Sequence, residues 1–420
     1  MEPKSIRMTL CGFFASSALA CAAALEPVYP TGGETVPLVP DAQKKVMSLP
    51  TLAERIQLLK DDRDAGGKLC GSKSWRKASP LVLKWRATNG ERGPWKVEIA
   101  ASSDFSDARV WYERTAEVDT ATGRDKEGGG EAAQSAVVSY TVPCANLEVG
   151  REYFWRVVAR SRCGKFNCGP KCGCEESKKV ERSEVASFRT EDLAPRWIAI
   201  YGNVGNMRDC GGWRAAGGRR VRQGMIFRGQ GLNDNSITGE TQGRNRLTVE
   251  DTKYLTRGLG IRTDLDLRSH GETADLDESP LGSGVKFVLR PSYCYRDVFS
   301  DKGKKIMAEN FREFCDRANY PVYVHCIGGA DRTGSLCYML LGVLGVDRHD
   351  MEVDWESTFY PRIPDENPDP KFWCRESHFN NGLSKYGEEG DSWSRRVELY
   401  LLDCGVTKEE IAAFRSIMLE

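Results

Sequence analysis

The sequence predicts an α/β domain, with a central sheet flanked by helices, preceded by an all-β domain. Three observations lead there. Short period-two runs fill the stretch from Pro80 to Thr190 with no amphipathic helix between them; strands alternate with helices from Arg196 onward; and 420 residues are too many for one ordinary domain. At 40% apolar and 29% charged residues the composition is that of a globular protein, neither disordered nor membrane-embedded. Lys plus Arg and Asp plus Glu both total 60, so no global field recruits nucleic acid or an anionic membrane surface. Any anion site has to be built locally.

The first element, residues 1–24, reads as an export signal. Lys4 and Arg7 precede an apolar, small-residue run from Met8 to Leu25, and both Ala18-Leu19-Ala20 and Ala22-Ala23-Ala24 fit cleavage sites. A retained membrane anchor and a lipid on Cys21 are the alternatives. The predicted location is therefore exported: periplasmic, cell-surface or secreted. Fifteen cysteines suit an oxidising compartment. Cleavage after Ala24 removes Cys11 and Cys21, and with one free nucleophile set aside an even number remains, which permits disulfides.

Residues 25–79 read as a lead-in, irregular and Pro/Gly-rich at first and then helical. Leu52, Ile56, Leu58 and Leu59 roughly follow one face, with Lys and Arg on the other. From residue 80 to 190 come the predicted strands Leu81–Trp85, Trp95–Ile99, Arg109–Tyr112, Ala136–Tyr140, Tyr153–Val158 and Val185–Phe188, separated by turn clusters such as Asn89-Gly90 and Ser102-Ser103-Asp104. Trp85 on an early strand, and Leu147 ahead of Tyr153 at tyrosine-corner spacing, resemble a fibronectin type III module. The resemblance implies an immunoglobulin-like sandwich serving as spacer or docking module, with protein or glycan contact through it. Cys163, Cys168, Cys172 and Cys174 sit near its last strands. Their spacing lacks paired C-x-x-C knuckles, so two local disulfides are expected ahead of a zinc site. Residues 191–196 read as a linker.

In residues 197–420, strands are predicted at Trp197–Tyr201, Met225–Arg228, Thr263–Leu267, Val285–Leu289 and Val322–His325. Helices are predicted over 249–258, 304–318, 333–344, 347–358, 392–402 and 407–418. The apolar strand Pro321–His325 runs into Cys326-Ile327-Gly328-Gly329-Ala330-Asp331-Arg332, then Thr333-Gly334 and an apolar helix. A buried strand fixes where such a loop starts. The two glycines let the backbone curl so that successive N–H groups form an anion nest, and the following helix adds its positive end. A thiol at that focus is held as thiolate, and Arg332 offers a planar fork to two phosphate oxygens.

This stretch resembles the His-Cys-x5-Arg-Thr signature of the protein tyrosine phosphatase superfamily, carried here by His325, Cys326, Gly329, Arg332, Thr333 and Gly334. Asn206-Met-Arg208-Asp209-Cys-Gly211-Gly212 is similar to the opening motif of a bacterial tyrosine and lipid phosphatase-like branch. So are Ile226-Phe-Arg228-Gly229, Leu247-Thr248 with Asp251, Leu259 to Ser269 with Glu272, and Asp354 to Phe359. The resemblance covers about residues 197–420. It implies a cysteinyl-phosphate enzyme with Cys326 as nucleophile and a phosphate cradle of Ile327, Gly328, Gly329, Ala330, Asp331 and Arg332. It further implies His325 bracing the loop, Thr333 hydrogen-bonding the sulfur, and no cofactor or metal. Two general acids remain open, Asp297 on a separate loop and Asp331 inside the cradle, with Asp301 in reserve. For Asn206, Arg208, Asp209, Arg268 and Glu272 the expectation is structural ion pairing near the loop.

Many relatives carry Lys where this chain has Ala330, which removes a cation suited to inositol lipids. Tyr293, Tyr295 and Arg296 can line a pocket for an aryl phosphate. The expected substrate is a phosphotyrosine-type phosphorylated protein or small phosphomonoester. The alternatives are phosphoinositide or inositol phosphate hydrolysis, and capture of a phospho-ligand without turnover. Cys294 and Cys337 are candidate oxidation partners of Cys326.

Overall fold

The computed structural model describes residues 25–65, 78–87, 95–112, 117–119, 136–159, 182–232, 247–273, 276–358 and 376–420. The predicted export signal and the cysteines at 163–174 lie outside them, as does the turn at Asn89-Gly90.

Strands β1 (Leu25–Tyr29) and β2 (Thr35–Val36) come first, then helices α1 (Asp41–Met47) and α2 (Leu52–Asp64). They are followed by β3 (Leu81–Ala87), β4 (Trp95–Ala100), β5 (Arg109–Tyr112), β6 (Glu117–Asp119), β7 (Ala136–Val142), β8 (Glu152–Ala159) and β9 (Ala186–Thr190). One sheet has the order β1-β3-β7-β6 and a second the order β2-β9-β8-β4-β5. Period-two alternation puts Leu81, Leu83, Trp85 and Ala87 of β3, and Tyr153, Trp155 and Val157 of β8, into a core shared by both sheets. The Trp85 and Trp95 rings meet edge-on, with centroids 5.4 Å apart. The Tyr153 hydroxyl accepts the Glu148 N–H at 3.0 Å.

The predicted lead-in, residues 25–79, has its helices at α1 and α2, and its first part, predicted irregular, forms two strands. β1 pairs antiparallel with β3 and β2 pairs parallel with β9, so this segment closes both sheets. Trp155 Nε1 also donates to the Pro30 carbonyl at 2.8 Å. Both strands are at sheet edges, where proline is tolerated, and that is why a Pro-rich stretch concealed them. Helices α1 and α2 turn the other way: Val39 and Met47 join the core of the α/β region. Arg55, expected on the solvated face of α2, is fully buried.

The α/β region contains β10 (Arg196–Trp197), β11 (Arg208–Asp209), β12 (Ile226–Gly229), α3 (Val249–Lys253), β13 (Thr263–Asp266), α4 (His270–Thr273), β14 (Lys286–Leu289) and α5 (Asp301–Glu313). It continues through β15 (Val322–His325), α6 (Asp331–Val343), α7 (Arg348–Glu356), α8 (Glu376–Leu383), α9 (Trp393–Asp403) and α10 (Lys408–Met418). Its sheet has the order β10-β11-β12-β15-β13-β14, parallel from β12 to β14 and antiparallel at β10 and β11. β15 is central, and Val322, Tyr323 and Val324 are sealed from solvent. The apolar α6 that follows packs in the core among residues of α7 and α9 such as Met351, Val397 and Tyr400. The predicted strand Trp197–Tyr201 shortens to two residues, and the predicted helix 249–258 widens into a π turn after Lys253.

The predicted linker at 191–196 is pinned on both sides. Glu191 N–H donates to the Val36 carbonyl at 2.9 Å, Asp192 takes Arg214 and Arg220 at 2.6 and 2.5 Å, and Arg196 already belongs to β10. The joint is stitched further by two side-chain amides. Asn146 exchanges two hydrogen bonds with Ala199 at 2.7 and 2.8 Å, and Gln223 exchanges two with Val149 at 2.8 and 3.0 Å.

Candidate functional site

The carboxyl end of a buried central strand delivers Cys326 to a turn that closes at the start of α6. Gly329 has φ +64°, and a Cβ there would stand 2.1 Å from the Gly229 carbonyl oxygen, so the loop rests on the backbone of β12 and only glycine fits. The carbonyls of the turn face outward and are occupied. His325 Nδ1 lies 3.3 Å from the Cys326 carbonyl, Gly231 N–H donates to Ile327, Asn206 Nδ2 donates to Gly328 and Gly329 at 3.0 and 3.1 Å, and Arg228 donates to Gly329 at 2.9 Å. Among the described residues, the amides of Ile327, Gly328, Gly329 and Ala330 bond to no protein acceptor. Outward carbonyls and unbonded amides make the inner side of the turn an anion nest.

Behind the nest lies a compact charge cluster. Asp354 on α7 accepts from Arg208 at 2.8 Å and from Arg228 at 2.6 Å, and all three are buried. Arg208 also donates to the Asn206 side-chain oxygen at 2.6 Å, aiming the Asn206 amide at the loop. Burial would raise the Asp354 pKa, but the two guanidiniums outweigh it and hold the carboxyl low. The two arginines differ: burial and its like-charged neighbour depress Arg208, whereas Asp354 overcomes burial at Arg228 and raises it. His325 contacts Asp264 at 2.9 Å; burial opposes its charge, yet Asp266 and Asp264 raise its pKa and favour the imidazolium.

Arg332 is fixed by a fork-to-fork pair. Its Nη1 and Nη2 donate to the two Glu272 oxygens at 2.7 and 2.8 Å. Glu272 is seated in turn by the Ser269 N–H and hydroxyl, at 2.7 and 2.8 Å. The Arg332 bond, with the Ser269 bonds, lowers its pKa from 4.5 to about 2. Burial lowers Arg332, but Glu272 and the Cys326 sulfur together raise it.

Asp331 and Asp297, the two open acids, fare differently. Asp331 begins α6 and accepts a hydrogen bond from the Tyr295 hydroxyl. Tyr295 has φ +57°, a costly conformation for a bulky residue, and is held there by its N–H to Ser335 Oγ at 3.1 Å and its ring against Trp355. Asp297 is 65% exposed, and Arg296 Nε is 3.9 Å away. Asp301 is exposed at the first turn of α5.

Other expectations need correction. Thr333 is fully buried, but its hydroxyl bonds to nothing among the described residues, so the predicted bond to the sulfur is not formed. Helix α6 starts at Asp331 rather than 333 and carries Thr333 into its first turn. Asp209 does not support the loop; it bonds Arg196 at 3.0 Å and the amides of Gly211 and Gly224, at the joint between the two regions. Arg268 makes the expected structural ion pair, with Asp266 at 2.7 Å. Cys337 sits 3.7 Å from the Cys210 sulfur. Burial and Asp331 push Cys294 up to about 11, making it a poor attacking thiol at neutral pH. Among the described residues, Cys144, Cys210, Cys294, Cys315, Cys326, Cys337 and Cys404 are free thiols; the four cysteines at 163–174, where the two local disulfides are expected, lie outside the described residues.

A family model described as the tyrosine phosphatase family matches residues 201–420. A Cupriavidus necator protein provisionally named a tyrosine-protein phosphatase is 27% identical over 205 residues, covering 43% of this chain and 69% of its own. Among solved structures, the core catalytic domain of the PP-IP phosphatase SIW14 from S. cerevisiae, in complex with citrate, is similar at 14% identity. It covers 38% of this chain and 84% of that one, with a TM-score of 0.25.

Proposed function

Because the chain belongs to the tyrosine phosphatase family and is a phosphatase hydrolase, we propose that it cleaves phosphotyrosine-type monoesters through a cysteinyl-phosphate on Cys326. One observation carries this reading: a turn of unbonded amides that follows Cys326 ends at an arginine already locked in its fork geometry by Glu272. In the first step the Cys326 thiolate attacks phosphorus, the bond from phosphorus to the leaving oxygen breaks, and Asp331 gives that oxygen its proton. The amides of residues 327–332 and the Arg332 guanidinium bind the equatorial oxygens. In the second step water attacks phosphorus, Asp331 takes the water's proton, and the phosphorus–sulfur bond breaks to release the thiolate and inorganic phosphate. Asp331 is preferred to Asp297 because Tyr295 anchors it beside the loop. His325 acts as a brace, not as a proton carrier.

Ala330, in place of a cation, favours a singly phosphorylated aryl ester over an inositol lipid. The N-terminal sheets support a fibronectin type III-like module through their shared core and the Tyr153–Glu148 bond, with docking as its role. Export is proposed from residues 1–24 and is checked by N-terminal sequencing of protein recovered outside the cytoplasm.

The test is hydrolysis of p-nitrophenyl phosphate by the full chain and by Cys326→Ser. The variant is expected to lose about 10⁴-fold in kcat. Acid-quenched wild type should carry one phosphoryl group by intact mass, and the variant none. Undiminished turnover in Cys326→Ser overturns the mechanism, and tight phosphate binding without turnover in the wild type points to a capture protein. A panel of phosphotyrosine and phosphoserine peptides, phosphoinositides and inositol phosphates then sets the substrate class.

A further inference from the structure

We propose that Arg55, supplied by helix α2 from outside the family-matched residues, is a positioning residue for the phosphate loop and acts through α7. The proposal rests on the reading of residues 326–332 as the phosphate cradle. Arg55 is completely buried, a costly placement for a guanidinium unless it is fully paired. Its Nε and Nη2 donate to the two Glu356 oxygens at 2.7 and 3.0 Å, Nη2 reaches Glu352 at 3.4 Å, and Nη1 donates to the Leu49 carbonyl at 2.9 Å. Glu356 is equally buried, and burial lifts its carboxyl to about 7 against the pull of Arg55.

Two positions before Glu356 on α7 is Asp354, the carboxylate that holds Arg208 and Arg228. Residues two apart on a helix point roughly 200° from one another, so α7 presents Glu356 to α2 and Asp354 to the loop support on nearly opposite faces. Arg228 then passes directly to the Gly329 carbonyl. The first turn of α7 is held from the same segment, with His349 Nε2 lying 3.0 Å from the Leu49 carbonyl. A second route enters through α1. Gln43 accepts from Trp197 Nε1 at 3.1 Å, and the Arg208 guanidinium lies over that indole, 5.3 Å from its centroid. Residues 43–55 thus fix α7 at its start and near its end, and touch the ring beneath Arg208. Relaxing the Arg55 pair lets α7 rotate or slide, and Asp354 moves with it.

The experiment compares wild type, Arg55→Met and the double variant Arg55→Met/Glu356→Met in the full chain. It reads kcat and KM for p-nitrophenyl phosphate, inhibition constants for orthovanadate and inorganic phosphate, and Tm. In the double variant both members of the buried pair are removed together and Glu352 keeps Arg348 at 2.9 Å, so Tm should return to near wild type. The expected result is that kcat stays down about ten- to a hundredfold and both inhibition constants rise in parallel. Wild-type kcat and inhibition constants in the folded double variant overturn the proposal, since the pair then serves stability alone. The underlying site reading fails separately, if Cys326→Ser retains wild-type turnover.

Discussion

On one flank of residues 326–332, Arg208, Arg228, Asn206 and Asp354 are buried, each is bonded to at least one of the others, and together they hold the loop carbonyls. On the other flank, the segment from Tyr293 to Asp297 sits near the surface: Tyr293 is 39% exposed, and Arg296 and Asp297 form a loose, solvated pair. The contrast separates two tasks. Charge stabilisation on a transferring phosphoryl group gains from dipoles that need no rearrangement, and that flank is built rigid. On the proposed reading, recognition of the group carrying the phosphate falls to the open flank, where Tyr293, Arg296 and Asp297 are only lightly constrained and Tyr295 is anchored by Ser335, Asp331 and Trp355.

Four substitutions test that division, in order of falling effect. Asp354→Asn strips the shared carboxylate from two buried guanidiniums and should cost about 3–5 kcal/mol of stability in urea unfolding, because an unpaired buried charge remains. A loss below ~1 kcal/mol would mean that the rigid flank is not held by charge. Arg332→Lys should lower kcat/KM about 10²–10³-fold, since an ammonium cannot reproduce the planar fork that Glu272 holds and that the proposed mechanism offers to phosphate. Glu272→Gln should slow turnover by about tenfold or less, the worth of one partly exposed ion pair. Its pH dependence has a definite sign. The folded-state carboxyl is depressed from 4.5 to about 2, so its contribution is complete above 4.5 and disappears as pH falls toward 2. The Tm difference between wild type and this variant should therefore be constant at neutral pH and shrink across that acid window. Smallest of all, Asp297→Asn should change kcat by less than about twofold, as for a surface residue. A larger drop would move the acid role to the open flank.

The loop itself was legible because its information is contiguous: strand, cysteine, glycine pair, arginine and helix lie within twenty-five residues. Asn206, Arg208 and Asp354 were recognisable as motif positions, but who bonds whom was not, since Arg208 and Asp354 are 146 positions apart. Thr333 was misread because its hydroxyl's fate depends on where α6 begins. Arg55 did leave a trace. It stands in the apolar stripe of Leu52, Ile56 and Leu59, where a solvated cation has no place, and a buried partner is the physical remedy. The strands β1 and β2 left almost none, because proline and glycine mask edge strands in any reading of periodicity.

Those two edge strands impose an order on biosynthesis. Thr35 and Val36 find their partners only at Arg189 and Thr190, so the first region cannot complete its second sheet until residue 190 has emerged from the ribosome. Until then the backbone groups of Thr35 and Val36 stay unclaimed, a slow, non-local closure of the kind that holds a nascent chain open and within reach of chaperones.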